Sequence, residues 1–367
     1  MGGGAPVTAV LVVLAVGFAY SMGAHYTGAC MGMPHALGAV SARRALVVMA
    51  PVTLIGATFA SHGVERTVGH SLLVGAGLSV TGLVIVIGVA FALTSVFNAL
   101  RIPTSTIQIL VFTVVGAAIA AGAGVRWSTI ATLAVIWVSA PVVAAAAGYA
   151  LTRALDRVPA VRAEARAVDQ ALERAGTSPR AVAPSSGTGV NSPRESGELA
   201  SRQAGGTLAV ALVAVGALAS FTMGANDVAN ATGSLVGSGT FTPLIAGVVG
   251  GAGLAVGVLT WGRPLLRRVA FDIVTVDRPM ATAAQVVQTG VVIAAVGFGF
   301  FTSMNQALVG AMTGTAAARG RHTVHAATLI GILRGWVIGP GAGFVVAYGM
   351  TAIVTAITGA HSITAMR

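Results

Sequence analysis

Ten apolar runs divide this chain, five on either side of one long polar stretch. In the first half they lie near residues 6–31, 45–62, 71–98, 104–121 and 127–151; in the second, near 206–236, 242–261, 283–300, 303–318 and 325–358. Charge is almost absent from them. No acid, Lys or Arg occurs between Thr67 and Leu100 or between Trp127 and Thr152, and Asp227 stands alone between Gln203 and Trp261. Apolar stretches of about 18 residues or more are long enough to cross a bilayer as helices. The pattern therefore predicts an all-α polytopic membrane protein with ten to twelve membrane segments. The first run, Ala5 to Tyr20, lacks the basic residue that opens a signal peptide and reads as the first membrane helix.

The polar stretch runs from Arg153 to about Gln203. It begins with acids and arginines at helical spacing and continues in Ser, Pro and Gly, as a linker does. The expected organisation is a first transmembrane repeat over 1–152, a hydrophilic loop over 153–205 and a second repeat over 206–367. Eight arginines lie in the loop, none before the first run, and only Arg367 at the other end. Arginine retained on the cytoplasmic side orients membrane proteins, which predicts a cytoplasmic loop with both termini outside. Arg43, Arg44 and Arg101 agree with that orientation, whereas Arg66 and Arg126 oppose it. Each half then crosses an odd number of times.

The halves resemble each other. "PTSTIQILVFTVVGAAIAAG" from Pro103 aligns with "FTSMNQALVGAMTGTAAARG" from Phe301, 198 residues on. "MGAHYTGACMG" from Met22 aligns with "MGANDVANATG" from Met223, 201 residues on. Two matches in the same order, with an odd number of spans between, predict inverted-topology repeats. Broken or re-entrant helices from the two copies are expected to meet at the membrane midplane, where transporters of this architecture hold their substrate.

An acid in a membrane helix is costly, about 2.5–3.5 kcal/mol on insertion scales, so Asp227 needs a compensating cation or proton. Asn226, Asn230, Thr232 and Ser234 surround it in sequence, and amide, carboxylate and hydroxyl oxygens suit hard cations. Around the other motif, a helix beginning in mid-membrane directs its N–H groups and positive dipole end at an anion. Thr104, Ser105 and Thr106 in the first half, and Thr302, Ser303 and Asn305 in the second, are the candidate donors, and Pro103 suits a helix start. Singly, a Ser/Thr cluster in a membrane helix is more often packing glue; pairing across the halves favours a site. His25 reads either as a titrating group or as a hydrogen-bonded polar side chain of the bundle. Glu65 and His70 are expected in a solvent-facing polar loop. Arg334 reads as pairing an acid or snorkelling rather than as a substrate ligand.

Composition supports these readings. Hydrophobic residues make up 55% and charged residues 8%, with mean hydropathy +0.87, against about 25% charged in soluble domains. Forty-nine glycines permit close helix approach. The net charge of +11 comes from 21 arginines placed between apolar runs rather than on one soluble face, which excludes nucleic acid as a partner. Cys30 is the single cysteine, so no internal disulfide forms. No metal-ligand cluster and no nucleophile–base pair points to an enzyme.

"GANDVANATG" resembles the signature of the inorganic phosphate transporter family, the Pit-type anion permeases. The resemblance covers nearly the whole chain outside the central loop. It implies two inverted repeats, each with a Gly-Ala-Asn-Asp-type motif and a later Pro-x-Ser-Thr-Thr-His-type motif, and cation-coupled import of an inorganic oxyanion across the cell membrane. It places Asn226, Asp227 and Asn230, with Thr104, Ser105, Thr106 and Ser303, at the phosphate and cation sites. The chain departs from the pattern at His25-Tyr26, where Asn-Asp is expected, at Ala29, at Gln108 and Gln306, and at Phe301. The degenerate first motif is similar to the sulfate permease branch, which implies proton coupling with His25 titrating. The expected function is cation-coupled phosphate import by alternating access. Sulfate is the alternative substrate, and an uncoupled anion channel the alternative of another class. No cofactor is expected beyond sodium as a candidate coupling ion; a homodimer stays open.

Overall fold

A computed structural model describes residues 4–75, 77–102, 104–159, 161–163, 206–266, 277–320, 326–358 and 364. Pro103, Arg367 and most of the central loop lie outside the described residues. Each expected apolar run contains a helix, though the third, expected from residue 71, becomes helical only at Val80. In the first half these are α1 (Gly4–His25), continued by a π-helical turn (Gly28–Gly32) and α2 (Met33–Ala36), then α3 (Ala42–Ala60), α4 (His62–His70), α5 (Val80–Leu100), α6 (Thr106–Ala120) and α7 (Trp127–Leu155). In the second they are α8 (Thr207–Gly237), α9 (Pro243–Trp261), α10 (Arg278–Gly297), α11 (Met304–Ala318) and α12 (Ala326–Thr358). Two isolated β-bridges, Leu73 with Val125 and Leu78 with Thr364, are the only extended pairings among the described residues.

Eight helices are long and apolar enough to cross a membrane. The other two main segments, α6 and α11, have 15 residues each. At 1.5 Å per residue that is about 22 Å, short of the ~30 Å hydrocarbon core. Helix starts are set by local chemistry: Ser79, Ser105, Asp277 and Ser303 each accept a hydrogen bond from the backbone amide three residues on.

The short helices turn back beside the helices that precede them. After α6, Gly124 O accepts from Val74 N at 2.8 Å and Arg126 N donates to Leu72 O at 3.0 Å, just before α5 begins. After α11, Arg319 reaches Asp277, the cap of α10, at 3.0 Å. Thus α5–α6 and α10–α11 are hairpins that enter and leave on one face, with tips near 101–105 and 298–303.

Helix directions follow from close contacts. Along α1, Met22 lies against Asn230 and Cys30 against Gly216, so α1 and α8 run antiparallel. A Cβ on Gly56 would lie 2.0 Å from Phe221 O, and one on Gly257 would lie 1.9 Å from Tyr20 O. These are one contact made twice with the halves exchanged, since Gly56 and Gly257, like Tyr20 and Phe221, are 201 residues apart. Gly224 against Thr53 and Gly23 against Leu254 repeat the pattern. By the same exchange α6 packs along α12 through Gly116 and Phe344, while α11 packs along α7 through Gly314 and Ala145. Each half's last helix therefore clasps the other half's short helix. The end of α7 and the start of α8 share one face, and Thr364 pairs with Leu78 on the other. Val135, Val138 and Val142 on α7, and Val337, Val345 and Ile353 on α12, form an exposed apolar belt.

Candidate functional site

The hairpin tips meet where α1 and α8 cross. Asn226 on α8 holds its own half's tip by the backbone: its Nδ2 donates to Thr302 O at 3.0 Å, and its Oδ1 accepts from Thr302 N at 3.2 Å. At the equivalent position on α1, His25 Nε2 lies 3.1 Å from Thr104 O and 3.4 Å from Thr104 N. One imidazole nitrogen thus occupies the place of the amide clamp. The other, Nδ1, is 2.6 Å from Asn98 Oδ1, an oxygen identified because Asn98 Nδ2 donates to Ser21 O at 2.8 Å. Asn305 Nδ2 crosses between the tips, 2.8 Å from Thr104 O and 3.3 Å from His25 Nε2.

One residue further on, Tyr26 occupies the place of an acid. Its hydroxyl is 2.8 Å from Thr106 Oγ1. Asn230 Nδ2 lies 3.5 Å from both Asp227 Oδ1 and Thr106 Oγ1. Gln108 Nε2 donates to Gln306 Oε1 at 3.5 Å, so the two equivalent glutamines meet across the exchange axis. Ser105 and Ser303 cap α6 and α11, each accepting at 3.4 Å from the amide of Gln108 or Gln306. Two helix N-termini converge here, and first-turn N–H groups have no partner within their own helix.

The cluster is buried, yet several of its polar atoms have no partner: Thr104 Oγ1, Thr302 Oγ1, Asn305 Oδ1, Gln108 Oε1, Asp227 Oδ2 and Asn230 Oδ1. Buried polar atoms are normally satisfied, and an orphaned one costs about 1–3 kcal/mol. So many around two helix starts mark a place built to hold a polar ligand. Donors (amides of both helix starts, threonine hydroxyls) suit the oxygens of an anion, and the Asp227 carboxylate suits a cation or an acidic proton beside it.

The structure brings together His25, Thr104, Ser105, Thr106, Asn226, Asp227, Asn230, Thr302, Ser303 and Asn305. It does not bring Thr232 into the cluster. Thr232 Oγ1 turns to Glu65 Oε1 at 3.2 Å, on the far side of α8 from Asp227, and Ser234 Oγ is buried without a partner. The place of Thr232 in the coupling set is not supported by position: five residues' separation along a helix carries its side chain to another face. Glu65, expected in solvent, is fully buried between α4 and α8, whereas His70 is exposed. Glu65 has polar neighbours in sequence, and only the packing of α4 on α8 covers it. Asn98 and Ser21, which orient His25, carry no signal in the sequence beyond lying in apolar runs.

The sequence profile of the phosphate transporter family matches residues 22–347. The chain belongs to that family. It is a transport protein and not an enzyme. It is 24% identical over 334 residues to the sulfate permease CysP of Bacillus subtilis, covering 90% of this chain and 83% of that one. It is 32% identical over 131 residues to a putative phosphate permease of Haemophilus influenzae, covering 32% and 31% of the two chains. Among solved structures, the fold superimposes on a sodium-dependent phosphate transporter with a TM-score of 0.79 at 18% identity, over 96% of this chain and all of that one.

Proposed function

We propose that this family member imports an inorganic oxyanion, phosphate first, across the cell membrane by alternating access, with a coupling cation, sodium or a proton, held at Asp227. The observation that carries the reading is the unpartnered, fully buried Asp227 Oδ2 beside two converging helix N-termini. Phosphate at neutral pH still bears a proton. It can donate to Asp227 Oδ2 or Asn230 Oδ1 while its other oxygens accept from the helix starts. Thr104, Ser105 and Thr106, with Thr302, Ser303 and Asn305, hold the anion; Asn226 and His25 hold the tips in place. The central loop faces the cytoplasm, in keeping with its arginines and with the shared face of α7 and α8.

Sulfate is the second reading. Tyr26 stands where a second carboxylate would, leaving one acid in the cluster, and the sulfate permease relative is similar over nearly the whole chain. Sulfate has no proton to donate and needs donors only, which Tyr26 supplies.

The test is uptake of labelled phosphate and of sulfate by proteoliposomes under an inward sodium or an inward proton gradient. Accumulation of one anion above equilibrium, abolished in Asp227→Asn, is the expected result. Equilibration without accumulation, unchanged by Asp227→Asn, would identify a channel and overturn coupling.

A further inference from the structure

The two hairpins are equivalent in backbone and unlike in chemistry. On α10, Arg278, Thr282, Gln285 and Thr289 recur at intervals of four, three and four residues and so form one stripe, flanked by Gln288. All five are at most 7% exposed. The equivalent positions on α5, 198 residues earlier, are Val80, Val84, Ile87 and Phe91, flanked by Ala90. The helix caps Ser79 and Asp277 are 198 apart as well, so the register is the same. One hairpin thus carries a polar stripe where its copy carries an apolar one.

The stripe faces a seam with irregular backbone. Gln285 Nε2 donates to Cys30 O, in the π-helical turn Gly28–Gly32. The second copy has no π turn at the matching residues 229–233, which lie within continuous α8. Gly216 on α8 closes the third side: a Cβ there would sit 3.0 Å from Cys30 O, Met31 Sδ and Pro34 Cγ. Along the stripe Gln285 Oε1, both polar atoms of the flanking Gln288, and Thr289 Oγ1 are buried without partners. Four such atoms in dry packing would each be left unsatisfied at a cost, and π turns gather at functional sites. At the outer end Arg278 Nη2 donates to Leu37 O at 3.3 Å, and its positive charge lies at the mouth. From Arg278 to Thr289 the stripe descends about 16 Å along α10 toward the tip cluster.

We propose that the seam between α10, α8 and the π turn is a polar vestibule for the transported oxyanion, joining the tip cluster to the face where α7 ends and α8 begins. Its occupant rests on the transport reading; its accessibility does not. Amide nitrogens and a hydroxyl supply donors, the amide oxygens hold water beside the ion, and Arg278 favours negative charge at the entrance. The matching path along α5 is lined by Val, Ile and Phe and stays dry.

The test uses the full chain in a Cys30→Ala background, which removes the single native thiol and keeps the Cys30 carbonyl's role. Thr282→Cys and Gln288→Cys are compared with their counterparts Val84→Cys and Ala90→Cys in membrane vesicles of either orientation. A membrane-impermeant thiol reagent is expected to modify the α10 pair about tenfold faster or more. Modification should come only from the central-loop side and be slowed by phosphate or sulfate. Equal rates for the two pairs, or modification from the opposite face, would overturn the vestibule. Modification that neither anion slows would overturn its occupant, and the uptake assay separately decides whether transport itself stands. Thr289→Val, close in shape, should lower uptake several-fold and leave anion affinity unchanged; unaltered uptake would count against the route.

Discussion

Two adjacent residues on α1 show how the first copy has diverged. His25 keeps the task of Asn226, holding a hairpin tip by the backbone of one residue, while Tyr26 replaces acidity with a hydroxyl bonded to Thr106. The same task predicts that His25→Asn preserves anion affinity within a few-fold. His25→Ala should lower it about tenfold or more, because the buried Thr104 N–H loses its partner while Thr104 O keeps Asn305; calorimetric titration with phosphate and sulfate separates the two. Glu65 permits a second prediction. It lies outside the apolar spans, and burial raises its carboxyl from 4.5 to about 7 against opposing hydrogen bonds from Thr232 and Ser61. A folded-state value above the unfolded one means stability that is full below about 4.5 and lost as pH rises through about 7. Thermal unfolding in detergent should therefore fall by a few degrees between pH 5 and pH 8, and Glu65→Gln should flatten that slope. An unchanged slope in the variant would assign the dependence elsewhere.

At the scale of elements, the helices were legible because a buried membrane helix needs only length, apolarity and a cap. The short helices α6 and α11 end early by the same logic, and their serine caps fix where the N–H groups point. Ser303→Ala should cost about 1 kcal/mol of local stability and weaken anion binding more than it weakens folding, read as an affinity loss at nearly constant melting temperature. Close approach between helices is stricter. Valine at Gly257 would drive Cβ to 1.9 Å from Tyr20 O, a backbone clash that should cost more than about 4 kcal/mol and abolish folded yield. Gly290→Ala, with nothing within 4 Å of the new atom, should behave as wild type in the same size-exclusion assay.

At the scale of the molecule, the clasp of each last helix on the other half's short helix makes the two halves one body, while their charges differ at the two faces. Arg319 lies 2.5 Å from Asp156 and 3.0 Å from Asp277, joining the base of the second hairpin to the end of α7. The equivalent positions in the first hairpin are Ala121 and Ser79, which cannot form such a lock. Partly exposed ion pairs contribute about 1 kcal/mol or less and weaken with salt. Arg319→Gln should therefore raise thiol modification of Gln288→Cys only a few-fold, with the difference vanishing at high salt. An effect on Ala90→Cys instead would contradict a lock confined to one face.

The sequence by itself determined the number and approximate places of the apolar segments, the repeat, and the motifs around Asp227 and Ser303. Those depend on local composition, helix caps and spacing, which a single chain displays directly. It did not determine that α5–α6 and α10–α11 turn back on themselves, since a hairpin and a broken crossing have the same apolar length. It misplaced Glu65, because burial there comes from α4 lying on α8, across 167 residues of chain. It grouped Thr232 with Asp227 by proximity, whereas rotation about the helix sends Thr232 to another face. Only the tertiary structure decided which side chains meet at the tips. That choice is made by glycine contacts between the halves, where a single Cβ separates close packing from collision.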